Sequence, residues 1–164
     1  MKFLKLIPII FLLAACNTET SSNVNSETVT TTEASKIELN ATEVSISNAW
    51  VREPAPGQKI GAAYMTLNSA QTSKLVYAEA ADTAGSVEIH SMSMNNGVMK
   101  MRMLDELTLE ANTPKELAPG GFHLMMFDLK KPLKAGEEVA FRLCFEDVSG
   151  NITHQNVTLA IKSQ

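Results

Sequence analysis

Past its first forty residues the chain is predicted to be all-β, a sandwich or barrel. Three observations point there. Apolar residues recur at every second position in short runs, Gly, Pro and Asn punctuate those runs, and no stretch after the amino-terminal apolar run has helical periodicity. No internal repeat is visible, and 164 residues leave room for one domain of ordinary size.

Residues 1–15, MKFLKLIPIIFLLAA, place Lys2 and Lys5 before an apolar run too short to span a bilayer, the form of an export signal. The signal ends in Leu13-Ala14-Ala15-Cys16, which resembles the bacterial lipoprotein cleavage box. Cys16 is therefore expected to be lipidated, anchoring the exported chain to a bacterial membrane without a spanning helix. Residues 16–40 carry Ser, Thr, Asn and Glu with scarcely an apolar side chain before Ile37, so they are expected to form a flexible tether. As a coil it would span on the order of 25 Å. Without Lys2 and Lys5 the basic count falls from 14 to 12 against 18 acidic residues, a net charge near −6 that argues against nucleic acid as a partner.

The folded domain is expected over residues 41–164. TEVSISNAWV alternates as a half-buried strand, and REPAPGQKIG is a loop with Pro54 and Pro56. AAYMTLNS and SKLVYAEA are the next strands, with Tyr64, Met65 and Leu67 assigned to core or rim packing. SVEIHS sets Val87 and Ile89 on one face, with Glu88 and His90 on the other, away from the core stripe. Asn96-Gly97 is the strongest short hairpin signal in the chain, because a type I′ turn needs positive φ at both positions. That turn would set Met92 opposite Met101 and His90 opposite Met103, leaving His90 diagonal to Met101 at about 7–8 Å. MKMRML places Met99, Met101 and Met103 on one face, where inward packing competes with a functional role. DELTLEANTPKEL reads as strand, turn and strand. Beyond Pro119-Gly120-Gly121, His123 and Met125 project to one side while Leu124 and Met126 project to the other. AFRLCFEDV and THQNVTLAI close the fold.

Seven of the nine methionines fall between Met92 and Met126. Across the same region, beginning two residues before Met92, His90, Met101, His123 and Met125 stand at separations of ten, twenty-one and one residues. Two imidazoles with two thioethers favour Cu(I) over hard cations, which want oxygen. Zinc would recruit Cys or carboxylate. Met92 and Met103 are candidate auxiliary donors, and Met94 also flanks the hairpin. A blue-copper electron carrier would need a thiolate beside two imidazoles. Cys144 in FRLCF has no histidine close after it and reads as a small strand residue, and His154 reads as structural or exposed. No glycine-rich phosphate loop, zinc helix or serine elbow is present, so no enzymatic activity is expected.

The spacing H-x10-M-x21-H-x-M, with NAWVREPAPG, GAAYMTLNS, VEIH and PGGFHLMMFDL around it, resembles the PCu(A)C family of periplasmic copper chaperones over about Thr42 to Ile161. The resemblance implies a cupredoxin-like β-sandwich that binds Cu(I) near its surface through His90, Met101, His123 and Met125. It implies delivery to the CuA centre of cytochrome c oxidase subunit II, alongside Sco-type proteins. The expected form is a monomer. A copper buffer or resistance protein, an electron-transfer cupredoxin and an adhesion sandwich with incidental methionines are the alternatives. The chain departs from the family pattern at Ser91, where some members carry Met, and ends at IKSQ without a His- and Met-rich tail.

Overall fold

The computed structural model describes residues 44–163. The export signal, Cys16 and the tether lie outside the described residues. Those described hold ten strands and no helix: β1 Val44–Arg52, β2 Gly61–Ser69, β3 Ser73–Glu79, β4 Ser86–Asn95, β5 Val98–Leu104, β6 Leu107–Leu109, β7 Lys115–Leu117, β8 Phe122–Phe127, β9 Glu138–Asp147 and β10 Ile152–Lys162. They form one sheet in the order β5-β4-β8-β7-β2-β1-β10-β9-β3-β6, and β8 also pairs directly with β2. Pairing is antiparallel except for β1 with β10 and the short β7–β8 contact. The sheet curls until β3 meets β4, which gives a nearly closed, cupredoxin-like barrel.

Period-two alternation drives the closure, because each strand can hide only one face. Val139, Phe141, Leu143 and Phe145 of β9 point inward, as do Leu124 and Met126 of β8 and Val87 and Ile89 of β4. Met65 and Leu67 join that core, as their sequence pattern predicts. Tyr64 faces the other way and packs on Trp50 of β1, ring centroids 4.7 Å apart. A bulge between Ser47 and Trp50, with Asn48 at φ 51°, sets the register that brings those two rings together.

The turn at Asn96-Gly97 forms as the dipeptide predicts, with φ of 51° and 76°. The β4–β5 register follows: Met92 opposite Met101, His90 opposite Met103. β5 sits at one end of the sheet, and inward packing of its methionines is not what forms. Met99 and Met103 are 59% and 57% exposed. An edge strand at this position has no second layer over its outer face.

Candidate metal centre

His90 and His123 are direct cross-strand partners on β4 and β8. Both point off the core face, as alternation requires, and their ring centroids lie 5.7 Å apart. Neither is open to solvent, with exposures of 8% and 5%. Phe127 covers His90 from one side at 6.0 Å, and Tyr64 flanks His123 at 6.4 Å. A position off the core stripe is thus not an exposed one here, because aromatic neighbours on the outer face roof the two rings.

Each imidazole has one nitrogen engaged and one free. His90 Nε2 donates to the Glu88 carboxylate at 2.8 Å, while its Nδ1 is buried with no partner. His123 Nδ1 donates to the Gly121 carbonyl at 3.1 Å, which leaves Nε2 as the lone-pair nitrogen. Metal-ligating histidines have this arrangement, the distal N–H held by a carboxylate or a backbone carbonyl. Burial lowers the pKa of His123, an effect the Gly121 hydrogen bond opposes and His90 and Arg52 reinforce. The neutral, ligating form is therefore favoured.

The thioethers surround these rings unevenly. Met125 is half-buried, two residues from His123 on the same face of β8 and opposite Glu88. Met101 is 45% exposed, on β5. His123, Met125, Met92, Met99 and Met101 line one groove of about 780 Å³, whose other wall is the loop around Pro54–Gln58 and Ile60. His90 does not line that groove; it stands beside His123, ring centroids 5.7 Å apart. Met103 lies opposite His90 but lines a separate hollow with Tyr77 and Glu88. Of the two auxiliary donors the sequence suggests, Met92 therefore shares the groove and Met103 stands outside it. Among the described residues no three His, Cys, Asp or Glu side chains converge to hold a metal. An ion held on this face would need thioether ligands, and the soft donor set fits Cu(I).

Sequence reasoning gave no role to two side chains, and it missed the partner of a third. Glu88 orients His90, and its place two residues before that histidine on the same face was a readable signal. Arg52 stacks over Tyr64 at 5.3 Å and lines the groove, a contact made only by the β1–β2 register. Cys144 does have a histidine: His154 is its cross-strand partner, with Nδ1 2.7 Å from Sγ. Burial pushes the Cys144 thiol up, which keeps the proton on sulfur. Cys144 does not line the groove of His123 and supplies no thiolate to it.

Comparisons with known proteins agree with this fold. A profile of the LpqE-like family, described as lipoproteins, matches residues 44–159. A Leifsonia xyli subsp. xyli protein named as a lipoprotein, Lxx21020, is 32% identical over 108 residues, 65% of this chain and 64% of that protein. The chain thus spans under two thirds of that relative's length. Among solved structures, the apo PCuAC domain from PmoF1 superposes with a TM-score of 0.60 at 26% identity, covering 76% of this chain and 98% of that one. The Cu(I) form of DR1885 from Deinococcus radiodurans gives 0.53 at 33% identity, covering 79% and 83%. Profile, sequence relative and solved structures converge on the segment that builds the barrel, and the chain belongs to the LpqE-like family, its folded part a PCuAC-type domain.

Proposed function

We propose that this chain is an exported, lipid-anchored Cu(I) carrier that holds the ion through His90, Met101, His123 and Met125 and hands it to a partner. One observation carries the reading: two adjacent buried imidazoles each have one ring nitrogen held by a hydrogen bond and the other free of one, beside a groove lined with thioethers. Neutral ligands leave the ion its single positive charge, and the Glu88 carboxylate behind His90 offsets part of it. Methionines at the rim suit transfer, since an incoming donor can displace an exposed thioether before the buried imidazoles let go. The Cu(I) form of a 33%-identical relative supports the ion and its oxidation state. The family's lipoprotein description and a lipoprotein-named relative support anchoring through Cys16.

The recipient we assign is the CuA centre of cytochrome c oxidase subunit II, in the periplasm, with Sco-type proteins as co-workers and the carrier acting as a monomer. The role is transport, with no bond made or broken in a substrate. Replacing His123 with Ala and Met125 with Leu together should abolish Cu(I) retention in an anaerobic chelator competition while the β-sheet circular dichroism persists. Unchanged affinity would refute the site. Transfer to an isolated CuA domain, read by the growth of its visible absorption, separates delivery from buffering.

A further inference from the structure

One face of the β4–β5 ribbon is built almost wholly from sulfur. His90, Met92 and Met94 follow one another at alternate positions of β4, and Met103, Met101 and Met99 stand opposite them in that order on β5. The other face of the ribbon carries Ser91, Ser93, Lys100 and Arg102. Packing does not account for the methionines, because Met94 is 65% exposed and the three on β5 are 45–59% exposed. Strand stability does not account for them either, since Val, Ile and Thr suit an exposed strand better. A surface meant only for apolar contact has no reason to use thioethers at every rung. What a thioether offers and those side chains lack is a neutral, soft donor on a flexible stem.

We propose that Met94 and Met99 form a second, weaker Cu(I) station, the outermost rung of a thioether ladder that loads the inner site. The proposal rests on the reading of the inner site as a Cu(I) centre. Successive rungs lie about 7 Å apart along the strands, within reach of two methionine side chains turned toward each other. Met99 lines the same groove as Met101, His123 and Met125, so the outer rung opens onto the inner donors. Two thioethers bind more weakly than two imidazoles with two thioethers, which directs the ion inward. Each step is ligand exchange: a sulfur of the next rung bonds to copper as one of the last rung leaves, and the ion stays Cu(I) throughout.

The test is anaerobic Cu(I) titration of the full chain, with ligation read by X-ray absorption at one and two equivalents. The wild type should bind a tight equivalent with nitrogen and sulfur ligands and a weaker one with sulfur alone. M94L/M99L, which keeps the apolar bulk at two exposed positions, should bind only the tight equivalent. A wild type that stops at one equivalent, or a variant that still binds two, overturns the proposal. In His123→Ala/Met125→Leu the sulfur-only uptake should survive, and its loss there would also overturn the proposal. If that variant instead keeps its nitrogen-ligated equivalent, the inner-site reading fails while the hairpin station stands.

Discussion

An imidazole that gives one nitrogen to a metal must park the proton of the other, and His90 and His123 do so by different means. His123 uses the Gly121 carbonyl, a backbone group that substitution leaves in place. His90 depends on one side chain, Glu88. Glu88→Ala should therefore let the His90 ring choose the wrong tautomer and weaken Cu(I) binding by about 10–100-fold. Glu88→Gln, whose amide oxygen can still accept the Nε2 proton, should restore most of it. Chelator competition on both variants checks the contrast. pH dependence is set at the same scale. Burial holds the His123 pKa below its ordinary value of about 6.5, so the unfolded chain takes up a proton before the folded one does. Stability from this group is full above that ordinary value and is lost as pH falls through the lowered one. Urea midpoints of the apoprotein should drop between pH 8 and pH 5, and His123→Gln should flatten that drop. Asp147, whose pKa is lowered by hydrogen bonds from the Asn151 side chain and backbone, acts only in a more acidic window.

The β4–β5 hairpin decides whether Met101 reaches the groove, and its turn decides the hairpin. Gly97 has φ of 76° with open space where a Cβ would stand, so the cost of a side chain there is backbone strain alone. Gly97→Ala should cost about 1–2 kcal/mol. That loss should appear in urea unfolding, along with weaker Cu(I) retention as the ribbon frays. Elements of this kind were legible beforehand. Asn96-Gly97 carries its conformation in its composition, and the turn in turn fixes which methionine faces which. The facing of His123 and Met125 against Leu124 and Met126 follows from alternation in the same way. The burial of His90 was not legible, since Phe127 and His123 reach it from another strand.

The barrel as a whole supplies the rigidity on which a fixed ring pair depends. Phe145 is wholly buried on β9, on the inner side of the sheet, while the two histidines lie on the outer side of β4 and β8. Phe145→Ala should lower stability by about 3–5 kcal/mol through lost burial and the cavity left behind. Measured well below the unfolding transition, Cu(I) affinity should change little, because Phe145 does not line the groove. A parallel fall in affinity, with the protein still folded, would show that the outer face leans on β9.

Local pattern, read from the sequence alone, determined the strands, the hairpin turn and its register, and the four donors as a soft set. These depend on alternation, on backbone sterics and on ligand chemistry, all of which act over a few residues. Tertiary structure alone decided the rest. It set His90 against His123 across two strands thirty-three residues apart, roofed them with Tyr64 and Phe127, gave Met92 to the groove and Met103 to another hollow, and paired Cys144 with His154. Those outcomes come from sheet order and curl, which bring distant strands side by side. No short window of residues carries that information, because the closure that creates each contact is a property of all ten strands at once.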